Sequence, residues 1–277
     1  MSIWRVKPVS AFEADMKKSE LKKVLGKWSL TAIGVGAIIG GGIFVLTNAP
    51  VAMRLGTITA LAEKTNSQVI PADATSIEDL ENLVEQAMEI LGGKIDFVLH
   101  SIGMSMNVRK GNHYTNQNYE FTAKGTDVSA MSFHKVMQVL YKKDAMNEWG
   151  SIVALSYMAA QRVFPDYNDM ADNKAYLESI ARSFGYFFGR DKKVRVNTIS
   201  QSPTPTTAGM GVKGFGGFIA YADKMSPLGN ATALDCANYT VTLFSDLTKR
   251  VTLQNLYNDG GFSNMGVSDF VMERFDE

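Results

Sequence analysis

Ser156-Tyr-Met-Ala-Ala-Gln-Arg-Val-Phe-Pro-Asp-Tyr-Asn-Asp-Met-Ala-Asp-Asn-Lys174-Ala-Tyr-Leu-Glu178 follows directly on a short apolar run, Ile152-Val-Ala-Leu155. A buried strand running into a helix is the repeating unit of a parallel α/β sheet. From Tyr167 onward the stretch holds neither Gly nor Pro, so the helix is expected to include Tyr167. Tyr167 and Lys174 are seven positions apart, nearly two helical turns, which puts both on one face about 10 Å apart along the axis. Helical side chains lean toward the N-terminus, so Lys174 is expected to point back at the Tyr167 phenol. An ammonium near a phenol makes it a better proton donor and anion stabiliser. Tyr157 falls at the end of the strand, where open α/β sheets place their ligands.

The rest of the chain bounds the reading. Its 277 residues fit one large α/β unit or such a unit with an appendage, and 45% hydrophobic content supplies a core. With 28 basic and 28 acidic residues the net charge is zero, which gives no electrostatic case for nucleic acid or an anionic surface. The single cysteine, Cys236, excludes an internal disulfide, fits a reducing, cytoplasmic compartment and reads as core. His100, His113 and His134 lack metal-ligand spacing, so no metal site is expected.

The longer pattern Ser-Tyr-x-x-Ala-x-Arg-x-x-Pro-x-Tyr-Asn-x-Met-x-x-x-Lys-Ala-x-Leu-Glu resembles the active-site segment of the bacterial NADH-dependent enoyl-acyl carrier protein reductases. These form a divergent branch of the short-chain dehydrogenase/reductases in which Tyr-x6-Lys replaces Tyr-x3-Lys. The resemblance runs from about residue 44 to the C-terminus. It implies a Rossmann-type, doubly wound parallel sheet and hydride transfer from NADH to the β-carbon of a trans-2-enoyl thioester, carried by acyl carrier protein or coenzyme A. Tyr167 would aim its hydroxyl at the enolate oxygen, Lys174 would hold the nicotinamide ribose, and Tyr157, Met170 and Phe215 would line the substrate end. Cofactor contacts are implied at Asp73 and Ala74 (adenine), at Ser101, Ile102 and Gly103 (ribose), and at Leu155. Ser202, Pro203, Thr204 and Thr206 would meet nicotinamide and pyrophosphate, with Ser202 standing where the family often has Gly. Family members are usually homotetramers. Thr47-Asn48 offers no cation for a 2′-phosphate, which favours NADH over NADPH.

Taken in order, Val69–Ala74 is expected to end a short strand. Thr75-x-x-Glu78 reads as a capping box for a helix with Ile77, Leu80, Leu83, Val84, Ala87 and Met88 on one face, closed by Gly92-Gly93. Ile95–Leu99, a strand opened by Gly150, Val194–Ser200 and Val251–Tyr257 read as strands, with a helix over Ser132–Lys142. Ala208–Met225 mixes glycines with Phe215 and Phe218, as a lid over an apolar chain would. Thr232 and Asp235 cap a further helix, and Asp259-Gly-Gly-Phe262 resembles the end of the superfamily's sheet.

Residues 1–47 depart from this pattern. A basic stretch precedes Leu30–Leu46, an uncharged run of 17 residues, short of the roughly 20 needed to span a bilayer. Together they resemble the N-terminus of amino-acid permeases of the amino acid–polyamine–organocation superfamily, through Ile-Trp-Arg-x-Lys-Pro and Gly34-x-Gly36-Ala-Ile-Ile-Gly40-x-Gly42-Ile-Phe. The candidate second strand, Ile43–Thr47, begins immediately after Gly42 and leaves no room for the helix that must follow a phosphate-binding turn. The expectation is therefore a 1–47 segment of separate type and a 48–277 reductase-like domain whose first strand and Gly-rich turn are replaced. Membrane contact would be confined to residues 28–47. The alternative is a chimeric or membrane-tethered protein that keeps the catalytic residues but binds NADH poorly.

Overall fold

The structure, a computed structural model, describes residue 62 and residues 67–204 and 214–276. The permease-like segment, the turn rejected above, the Ile43–Thr47 strand and Thr206 lie outside the described residues. The elements run α1 (Ile77–Leu91), β1 (Ile95–His100), α2 (Met106–Lys110), α3 (Tyr119–Thr126), α4 (Ser132–Lys142) and β2 (Met146–Ser156). They continue with α5 (Asp169–Lys192), β3 (Arg195–Gln201), α6 (Phe215–Met225), α7 (Ala233–Phe244), β4 (Asn255–Asn258) and α8 (Asp269–Glu273). The four strands form one parallel sheet in the order β1-β2-β3-β4.

Alternation along β2 sorts the side chains between two cores, because successive strand residues face opposite ways. Ile152 and Ala154 join Leu80 and Val84 of α1, Phe133, Met137 and Leu140 of α4, and Leu177, Ile180 and Phe188 of α5. Val153 and Leu155 turn the other way, onto Cys236, Leu243 and Phe244 of α7. Helices on both faces of a parallel sheet give the doubly wound α/β fold that the sequence implies. Cys236 is 6% exposed, and burial pushes its thiol up to about 11, in keeping with its reading as core. Among the described residues no helix is long and apolar enough to cross a membrane.

Several local expectations shift. Residues 67–73 form no strand, since nothing among the described residues pairs with them. The α1 cap lies one residue later than read: Ser76 accepts from Asp79 N, while Thr75 bonds back to Asp73. Ile77 consequently sits at the helix start and is 36% exposed, whereas Leu80 and Val84 are buried as expected. Gly92 and Gly93 close the helix as read, with Gly93 N donating to Met88 O at 2.9 Å. Strand β2 begins at Met146, before Gly150, because a bulge lies between: Ile95 pairs with Met146 but Phe97 with Ser151. Gly150 fits this bulge for a steric reason, since a methyl group there would lie 2.8 Å from Asp96 O. Helix α4 and the Thr232/Asp235 capping box occur as read. The last strand is shorter, Asn255–Asn258, and residues 215–225 of the expected lid are a helix.

The correction with most bearing on chemistry falls at Tyr167. Pro165–Tyr167 is a short 3-10 turn, and α5 starts only at Asp169. Between them Asn168 takes φ 47° and ψ −140°, a conformation that breaks the helix, while its side chain caps Asp169 N at 2.7 Å. Tyr167 therefore does not share a helical face with Lys174. An Asn competes with helix by bonding its own neighbouring backbone, and the missing Gly or Pro concealed this break.

Candidate active site

The carboxyl ends of β1, β2 and β3 deliver the chemistry-bearing residues. Lys174, on the second turn of α5, is buried and donates from Nζ to Leu155 O near the end of β2, at 2.7 Å. Burial pushes its ammonium down to about 8, opposed by the negative charge of Glu178 one turn on. That carboxylate is itself fixed: Ser156 Oγ donates to Oε1 at 2.6 Å and Gln161 Nε2 to Oε2 at 3.1 Å. Gln161 in turn accepts from the Tyr257 hydroxyl at 2.9 Å, which reaches across from β4. A buried lysine, a strand carbonyl and a clamped carboxylate thus hold the amine in one place.

Tyr157 follows the strand directly and is 7% exposed. Its ring packs on Tyr167 (centroids 5.2 Å apart), Phe164 (5.4 Å) and Phe218 (6.4 Å). Phe262 closes the group against Phe164 and Phe218. Within this aromatic box the Tyr157 hydroxyl is buried without a hydrogen-bond partner among the described residues. Burial, with Tyr167 and Asp259 nearby, raises its pKa, and burial raises that of Tyr167 too. Both phenols are therefore protonated at neutral pH and able to donate. A buried donor with no acceptor costs stability and is satisfied by an incoming oxygen.

The loop after β1 brings Ser101, Ile102 and Gly103 to the same edge. A methyl group at position 103 would meet Met170 Cε at 3.6 Å and Lys174 Nζ at 3.8 Å, so the fold gathers Gly103, Met170 and Lys174. Just before them, His100 is buried beside Lys174, and burial together with that charge pushes its imidazole down to about 3. Ser132 Oγ donates to Val128 O at 2.6 Å, so His100 Nε2 must be the donor to Ser132 Oγ at 2.9 Å. The imidazole is neutral, with Nδ1 unprotonated.

Other expected contacts have local duties. Asp73 accepts from Thr75 N and Oγ1, both at 2.8 Å, in the turn that enters α1, and Ala74 is buried beside it. Ser202 accepts from Ala231 N at 3.0 Å, Pro203 O accepts from Asn230 Nδ2 at 2.7 Å, and Thr204 donates to Ser202 O. Phe215 opens α6 outside the aromatic box, which Phe218, one turn later, joins. Sequence reasoning did not single out Phe164, Phe262 and Glu178, and it read His100 only as the start of the loop that carries Ser101–Gly103. The signal for Glu178 was its i, i+4 spacing from Lys174; the aromatics carried none short of the fold.

The family described as enoyl-(acyl carrier protein) reductase matches residues 40–263. An enoyl-[acyl-carrier-protein] reductase [NADH] of Rhizobium meliloti is 30% identical over 208 residues, covering 74% of this chain and 76% of its own. The corresponding protein of Rickettsia bellii is 32% identical over 217 residues, 77% of this chain and 81% of its own. The crystal structure of a FabI–NADH complex from Alistipes finegoldii is similar with a TM-score of 0.77 and 66% identity, over 80% of this chain and 78% of that one. This chain belongs to the enoyl-(acyl carrier protein) reductase family.

Proposed function

We propose that the protein reduces the trans-2 double bond of an enoyl thioester, presented on acyl carrier protein, with NADH as reductant. The observation that carries this reading is that the carboxyl end of β2 holds both buried Lys174, bonded to Leu155 O at 2.7 Å, and Tyr157, whose ring packs on the ring of Tyr167. The residues present suit the dinucleotide: Gly103 leaves open backbone beside Lys174 Nζ, and the edge is where such sheets hold nucleotides. Ser101, Ile102, Gly103, Leu155, Lys174, Ser202, Pro203, Thr204 and Thr206 would hold it, with Asp73 and Ala74 at the adenine end. Bound NADH would supply the hydride that adds to the β-carbon, and a proton taken up from water at the α-carbon completes the saturated thioester.

The chain's own residues do the rest. Tyr167 donates a hydrogen bond to the thioester oxygen as negative charge gathers there, which is where electrostatic stabilisation lowers a barrier most. Lys174 keeps a positive charge beside that region and binds ribose hydroxyls. Tyr157, Phe164, Phe218 and Phe262 exclude water around the acyl chain, and Met170 borders it beside Gly103. We further infer a homotetramer, cytoplasmic placement, and a boundary near residue 47, before which the permease-like segment supplies the only candidate membrane contact.

The purified protein is expected to oxidise NADH only when a trans-2-enoyl thioester is added, with the saturated thioester as product. NADH loss without thioester, or thioester left unreduced under saturating NADH, would sink the reading.

A further inference from the structure

A buried polar knot lies at the start of α5, just behind the residues proposed for chemistry. Asp169 is 1% exposed and has no ion-pair partner among the described residues. Its Oδ1 accepts from Ser105 Oγ, and its Oδ2 accepts from Asn107 Nδ2 at 2.9 Å. Ser105 is committed to that role, while the Asn107 NH2 also reaches Thr122 Oγ1 at 3.0 Å and Asn118 O at 3.3 Å. Ser105 Oγ already accepts from Val108 N at 3.0 Å as the cap of α2, so its one hydrogen is free for Asp169. Asn107 Oδ1 accepts from the backbone N–H of Asn118 at 3.0 Å, which fixes the amide with its NH2 toward Asp169. Position 169 must therefore be an acceptor at both oxygens, and the first turn of a helix favours an anion there. The next residue back, Asn168, is held in its positive-φ conformation by Gln117 Nε2 and by Asn112 O, both at 2.6 Å.

We infer that Asp169 is a positioning residue for the reaction. Its carboxylate clamps the segment following Ser101–Gly103 onto the helix that carries Lys174, and fixes the Asn168 bend that aims Tyr167. The inference rests on the roles proposed for Tyr167 and Lys174. It explains why a costly buried carboxylate, without an ion-pair partner among the described residues, stands at the first position of a helix that Asn168 already caps.

Asp169→Asn keeps the shape but confronts the Asn107 NH2 or the Ser105 hydroxyl with a donor. It is expected to lower kcat at saturating NADH and thioester by roughly tenfold to a hundredfold, the range for a small misplacement. The kcat is to be counted per bound NADH, well below the unfolding temperature. The double variant Asp169→Asn/Asn107→Asp restores one donor–acceptor match and is expected to recover part of the loss. Ile180→Val, a buried truncation on the same helix, destabilises without touching the knot and should keep kcat within about twofold. If Asp169→Asn does not fold, Ser105→Ala carries the test, with a several-fold fall in kcat. Wild-type kcat in either variant, or an equal fall in Ile180→Val, overturns the inference while the Tyr167→Phe result leaves the proposed chemistry standing. Wild-type kcat in Tyr167→Phe itself overturns both.

Discussion

Tyr167→Phe is expected to lower kcat by about 10²-fold or more while leaving NADH affinity nearly unchanged. The substitution removes one oxygen and little else. The ring would still pack on Tyr157 at 5.2 Å, so the aromatic box survives. What disappears is a protonated phenol whose raised pKa keeps its hydrogen in place across the working pH range. A donor aimed at developing charge acts mainly in the transition state, so the loss belongs in kcat rather than in ground-state binding. Steady-state kinetics with NADH and a short enoyl thioester, beside a direct NADH titration, separate the two. Unchanged turnover would remove Tyr167 from the reaction.

Lys174→Ala is expected to weaken NADH roughly tenfold to a hundredfold, the equivalent of losing charged hydrogen bonds of about 1.5–3 kcal/mol. It also leaves Glu178 buried without its neighbouring cation, so some stability is lost too. The wild-type enzyme carries a pH signature of the same residue. Its ammonium titrates near 8 in the folded chain, below its ordinary value of 10.5. As pH rises through about 8 the charge is lost, so NADH affinity should fall on the alkaline side, and Lys174→Ala should lack that fall. Stability moves oppositely: a folded pKa below the unfolded one means the buried charge costs most below about pH 8. That cost is relieved as pH rises from about 8 toward 10.5. An NADH titration from neutral to alkaline pH tests the first sign, and denaturant unfolding over the same range tests the second.

Much of this was legible in the chain. The apolar run Ile152–Leu155, the Tyr-x6-Lys string and the turn at Asp259-Gly260-Gly261 mark the sheet's carboxyl edge. Alternation along β2 foretells two buried faces. What stayed hidden was conformation set by side chains from distant segments. The bend at Asn168 depends on Gln117 and on the Asn112 carbonyl, which no local propensity encodes. The helical reading of Tyr167 failed for that reason. The β2 start was misjudged because Gly150 signals a bulge and a strand opening equally well. Phe164 and Phe262, 98 positions apart, meet only once the fold exists.

The placement of Cys236 has a practical corollary. The chain holds one thiol, carried by α7 into the core it shares with Val153, Leu155 and Ile199 of the sheet, with thiolate formation suppressed by burial. Thiolate, not thiol, is the species that alkylating agents and peroxides attack. The protein thus offers a silent background for site-directed labelling: Leu234→Cys, at a position 62% exposed on the same helix, would give a maleimide a single reactive target. Among the sulfur-bearing side chains, oxidation is by the same reasoning directed to methionine rather than to Cys236.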